Sequence, residues 1–87
     1  MKNTYFVEMT DTFGEDANYC WVNRFLVTAS SQLGAIRKVT RETGYPARKY
    51  YDTGDMARYN VPGCAICYFV NESDGSELAE YSNVKKI

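Results

Sequence analysis

The chain has 87 residues, 45% hydrophobic and 24% charged, with a formal net charge of −1. That length allows one domain, residues 1–87, burying roughly 60–65% of the unfolded surface, and the composition excludes disorder. The near-zero charge balance excludes a polybasic tail or an overall acidic imitation of DNA.

In chain order, TYFVEMTD (4–11) alternates Tyr5, Val7 and Met9 with Phe6, Glu8 and Thr10, the period of a strand. TFGEDAN (12–18) reads as a loop of turn formers, and YCWVNRFLVTA (19–29) as a second strand, dense in aromatic and β-branched residues. Its length predicts a bulge or bend near Asn23 and Arg24. SSQLGAIRKVTRETG predicts a helix capped by Ser30 or Ser31 and stopped by Gly44 and Pro46. On its wheel Leu33, Ile36, Val39, Thr40 and Thr43 share the buried arc, and Arg37, Lys38 and Arg41 share the solvent arc.

ARKYY (47–51) reads as a third strand and CAICYFVNE (64–72) as the most apolar one. MARYNV (56–61) between them is a short extra strand or an ordered loop before the Pro62-Gly63 break. Asp74-Gly75 signals a hairpin turn, followed by an edge strand or short helix and a frayed end over 82–87. The expected fold class is therefore α+β: an antiparallel sheet of four to five strands in β-β-α-β-(β)-β order, with one helix on one face.

The chemistry on offer is narrow. Asp52-Thr53-Gly54 matches the aspartic-protease triplet, but that dyad needs two triplets sharing a proton, and Asp55 would add a repelling charge. The simpler reading is a turn, with Gly54 at positive φ. Cys64-Ala-Ile-Cys67 is a CxxC that runs into strand material instead of opening a helix, and a structural zinc site needs four ligands where this chain has three Cys and no His. Without His the usual general base is missing. The expectation is no enzyme, no catalytic residue, no metal site and no cofactor.

Charge is unevenly spread. Residues 24–58 carry Arg24, Arg37, Lys38, Arg41, Arg48, Lys49 and Arg58 against Glu42, Asp52 and Asp55, while both ends are acidic. Arg37, Lys38, Arg41, Arg48, Lys49, Tyr50, Tyr51, Arg58 and Tyr59 are the candidate partner-binding residues, because Arg with Tyr suits phosphate contacts with base stacking and equally suits a protein interface. If the acidic stretches 11–16 and 52–55 meet in space, the opposite polarity follows: carboxylates imitating phosphates against a basic groove. The start MKNTYFVEMTDTF lacks a signal peptide's apolar stretch, no run is long enough to span a bilayer, and an odd number of cysteines suits a reducing compartment. These predict a cytoplasmic protein.

Three pieces, DTFG-x-x-ANY-x-WV (11–22), GAIRKVTRETG (34–44) and YDTGDMARYN (51–60), together resemble a set of small phage and mobile-element proteins of uncharacterised activity. In size and element order the chain is also similar to small anti-CRISPR proteins, several of which block a host nuclease complex by binding its protein or its nucleic acid. The resemblance implies a phage-type accessory protein that inhibits a host defence (CRISPR-Cas) nucleoprotein complex in the host cytoplasm. The alternatives are a direct nucleic-acid binder using the basic helix face, or a structural module that forms a homodimer through its tyrosines.

Overall fold

The computed structural model describes residues 3–14 and 16–87. Their elements are β1 (Asn3–Phe13), β2 (Asp16–Ala29), α1 (Gln32–Thr43), β3 (Arg48–Asp52), β4 (Met56–Asn60), β5 (Ile66–Glu72), α2 (Glu77–Glu80) and β6 (Val84–Lys86). The class is α+β as expected, but the sheet has six strands in the order β3-β4-β5-β1-β2-β6 and is mixed, because β6 runs parallel to β2. The stretch expected to fray thus supplies an edge strand. Among the described residues, no helix is long and apolar enough to cross a membrane.

One face of the sheet carries α1. Tyr5, Val7, Met9, Phe25, Val27, Tyr59, Tyr68 and Val70 point into it and meet Ala35, Ile36 and Val39 of the helix. Burying each large side chain there stabilises the fold by roughly 1.5–3 kcal/mol. That explains why 56–60 is a full strand: Ala57 and Tyr59 reach the core from β4, and Val61 follows them. Leu33, expected on the buried arc of the helix, is 47% exposed, and Ala35 takes the buried place.

The helix begins where predicted. Ser31 is the N-cap, its hydroxyl accepting the Gly34 N–H at 3.0 Å, and Gly44 ends the helix at φ 82 with its N–H bonded to the Thr40 carbonyl. A Cβ on Gly34 would lie 3.3 Å from that capping oxygen and 3.6 Å from the Ala29 methyl, so Gly34 is where the cap and the end of β2 crowd the helix.

The opposite face of the sheet is only half covered. After β5 the chain turns at Gly75 (φ 91), not into a hairpin but into the short α2. Tyr81 then stacks on Phe6 with ring centroids 5.7 Å apart, and Arg24 lies 4.1 Å over the Tyr81 ring while pairing with Glu8 at 3.1 Å. This segment covers β1 and β2, burying Phe6 and Leu26. Beyond it, towards β5, β4 and β3, no second layer covers the face among the described residues.

Candidate functional site

On the uncovered part of that face two pairs of rings are joined through one guanidinium. Tyr19 stacks on Phe69 (centroids 6.4 Å), Arg58 lies 5.8 Å from Phe69 and 5.1 Å from Tyr50, and Tyr50 meets Tyr51 at 5.7 Å. The cross-strand register builds this row: Tyr51 opposes Arg58, Arg58 opposes Phe69, Phe69 opposes Glu8 and Glu8 opposes Arg24. Arg58 is only 7% exposed, and its Nε donates to Asn60 Oδ1 at 2.9 Å, which fixes the guanidinium within reach of the Tyr50 and Phe69 rings. Tyr19 and Tyr50, by contrast, are 53% and 56% exposed.

Two irregularities aim these tyrosines. In β3 the register slips between Lys49 and Tyr51, which leaves Tyr50 as an extra residue. Strict alternation would send neighbouring side chains to opposite faces; the bulge instead lets Tyr50 and Tyr51 share the Arg58 face. The second irregularity lies in the β1–β2 hairpin. Thr10 pairs with Val22 and Thr12 with Ala17, so Asp11 alone faces residues 18–21. The expected bulge near Asn23 and Arg24 is absent, since both pair regularly with β1, and the distortion sits nearer the hairpin tip.

The distorted segment is held by side chains. Asp11 accepts from Cys20 N–H and from the Asn18 amide, each at 2.8 Å, while Thr10 Oγ1 accepts from Tyr19 N–H and donates to the Trp21 carbonyl. Those bonds, the Asn18 amide first and then backbone N–H groups, hold the Asp11 carboxyl below the usual carboxylate range. Tyr19 has φ 54, and among the described residues no other non-glycine residue has positive φ. A left-handed bulky residue costs roughly 1–2 kcal/mol, so the hairpin stores strain in order to lay the Tyr19 ring over Phe69. Burial, with Glu8 nearby, pushes the Tyr19 phenol up from its ordinary pKa.

The nine residues picked from the sequence do not form one surface. Tyr50, Tyr51 and Arg58 come together on the open face, with Arg48 on the same side of β3 opposite Asn60, whereas Lys49 opposes Tyr59 on the helix side, 6.0 Å from its ring, and pairs with Asp52 at 3.4 Å. Tyr59 is 2% exposed and belongs to the core, its hydroxyl donating to Gln32 Oε1 at 3.0 Å. Arg37, Lys38 and Arg41 project from α1, on the other side of the sheet. The acidic stretches also stay apart. Asp11 pairs opposite Ile66 at one end of the sheet, and Asp52 lies beside Ala57 at the other, where Met56 pairs with Asn71. The opposite-polarity surface therefore does not assemble.

Sequence reasoning missed Tyr19 and Phe69. The non-periodic ANYCW run after the Gly14 turn was the available signal for Tyr19. For Phe69 it was the odd position in β5, opposite the core-facing Tyr68 and Val70.

The Asp52-Thr53-Gly54 triplet is a turn. Asp52 accepts the Gly54 N–H at 2.9 Å, Thr53 bonds the Met56 backbone in both directions, and Gly54 has φ 93. The Gly54 N–H, with Lys49 nearby, lowers the Asp52 pKa. All three cysteines are free: Cys20 and Cys64 are exposed and Cys67 is buried, so of the CxxC pair only Cys67 lies inside the sheet. Among the described residues no cluster of three or more His, Cys, Asp or Glu is placed to hold a metal ion. Comparison with protein-family models, curated proteins and solved structures found no match to this chain.

Proposed function

We propose that this is a small phage-type accessory protein that acts by binding rather than by catalysis, on a protein subunit of a host defence nucleoprotein complex in the cytoplasm. The observation that supports a protein partner is the row Tyr19, Phe69, Arg58, Tyr50 and Tyr51, in which the buried Arg58 bridges two pairs of rings. Tyrosine and arginine dominate the energetic centres of protein interfaces, because a rigid ring buries a large area at low entropic cost and still offers a hydroxyl. Two bulges and a left-handed tyrosine devoted to one patch support a role beyond folding. The phosphate-seeking cations of α1 lie elsewhere, which favours protein over nucleic acid for this face.

The test is capture from cells carrying a defined CRISPR-Cas system, with the wild-type chain beside a Tyr19→Ala, Tyr50→Ala, Tyr51→Ala variant. The reading expects a subunit of the defence complex in the first eluate and its loss, by tenfold or more, from the second. Recovery of no defence subunit, or equal recovery by both proteins, overturns it. A wild-type chain that sediments as a dimer, and a triple variant that sediments as a monomer, would assign the patch to a second copy instead.

A further inference from the structure

The helix side of the molecule carries a separate charged surface. Arg37 and Arg41 stand one turn apart on α1, with Lys38 beside them. Like charges at i and i+4 repel and weaken a helix. The first turn of α1 holds no acidic residue, and among the described residues neither arginine has an ion-pair partner. The one carboxylate on the helix, Glu42, is taken up by Lys85, whose Nζ lies 3.0 Å from Glu42 Oε1. That pairing depends on β6: opposite Phe25 in the register, Lys85 lies on the helix side of the sheet. Lys38 donates to the Thr28 carbonyl at 2.6 Å, which fixes its ammonium at the end of β2 with donors to spare. Lys38, Arg41 and Glu42 line a shallow groove whose far wall is Ile87.

From this geometry we infer that the α1–β6 side binds the phosphate backbone of double-stranded nucleic acid. A convex helix presenting cations suits successive phosphates along a groove edge, and the helix's own carboxylate, Glu42, is already paired with Lys85. No ring lies between Arg37, Lys38 and Arg41 in sequence, whereas single strands are held on stacking platforms. The surface lies across the sheet from the aromatic patch, so both can be engaged at once. A nucleoprotein target offers both chemistries: protein for the aromatic face, phosphate for the helix. Phosphate binding stands whether or not the protein target is the one proposed above.

Fluorescence anisotropy of labelled duplex DNA and duplex RNA, titrated with the full chain at low ionic strength and then at rising salt, tests the inference. The logarithm of affinity should fall against the logarithm of salt with a slope of about −3, as expected for three to four phosphate contacts. Arg37→Ala and Arg41→Ala should each make the slope shallower by about 1, and Arg41→Lys should restore most of it. Lys85→Ala, which frees Glu42 beside the arginines, should weaken binding without touching either arginine. Circular dichroism on each variant separates lost contacts from lost folding. Absence of binding at low salt overturns the inference. So does an unchanged slope in a folded Arg37→Ala, Arg41→Ala double variant, or binding to phosphatidylserine vesicles with none to the duplexes. Failure to capture a defence subunit bears only on the aromatic face, so the two outcomes are separable.

Discussion

Tyr19 is where backbone strain and the proposed recognition meet in a single residue. Its left-handed backbone is strained, and its ring contact with Phe69 offsets that strain by roughly 0.5–1.5 kcal/mol. Tyr19→Gly removes the strain and the ring together, so stability should change by less than about 1 kcal/mol. Tyr19→Ala loses the ring and keeps the strain, and should be the less stable of the two by about 1 kcal/mol. Urea denaturation decides; equal midpoints would mean that the backbone there is not strained. If the proposed function holds, both variants should also lose partner binding, because that reading places the ring at the contact. Asp11 acts one step back from the surface. Its carboxylate holds Cys20 N–H and the Asn18 amide, so Asp11→Ala should release residues 18–21 and lower partner affinity about as far as Tyr19→Ala does. Faster amide exchange at Tyr19 and Cys20 in that variant would trace the loss to release of the bulge, and unchanged exchange would not.

At the scale of elements, what could be read in the sequence was what local chemistry decides. The helix is such a case: Ser31 caps it, Gly44 ends it, and Ser31→Ala should cost about 1 kcal/mol in thermal or urea unfolding. The Asp52-Thr53-Gly54 turn is another, because its hydrogen bonds join residues at most three apart. The two bulges are the opposite case. A bulge is a mismatch between two strands, so the Tyr50 slip exists only against Arg58 and Tyr59, and the 18–21 distortion only against Thr10 and Asp11. Residues 84–86 fail for a related reason. VKK has no strand period of its own and becomes β6 because β2 offers an unpaired edge to Val84, Lys85 and Lys86. The nine candidate residues were near one another in sequence, and the sheet sorts them by parity. Tyr59 faces the helix, Arg58 faces away from it, and the cations of α1 lie beyond the core between them.

Over the whole molecule, the titrating groups set a window of pH in which the fold is most stable. The carboxyls of Asp11, Asp52 and Asp74 lie below their ordinary range, chiefly through the Asn18 amide, the Gly54 N–H and the Ser76 N–H respectively. A depressed carboxyl contributes stability above its unfolded pKa of about 3.9 and loses it as pH falls through the folded value. The phenols of Tyr59 and Tyr68 and the thiol of Cys67 are pushed up by burial. Their folded state holds protons that the unfolded chain releases, so stability is intact below the ordinary values of about 8.5 for a thiol and 10 for a phenol, and falls as pH rises beyond them. Urea midpoints should therefore be level from about pH 5 to 8 and drop on both sides. Tyr68 separates the two limbs. Its hydroxyl donates to the Tyr45 carbonyl at 3.0 Å, which makes Thr43 the donor in the 2.7 Å contact with it. Tyr68→Phe should lower stability at neutral pH by about 1 kcal/mol through that lost network. The same variant should make the alkaline fall shallower and leave the acid fall as steep as before. An alkaline limb as steep in Tyr68→Phe as in the parent would show that this phenol does not titrate on unfolding, and that the loss at high pH comes from Tyr19, Tyr59 and Cys67.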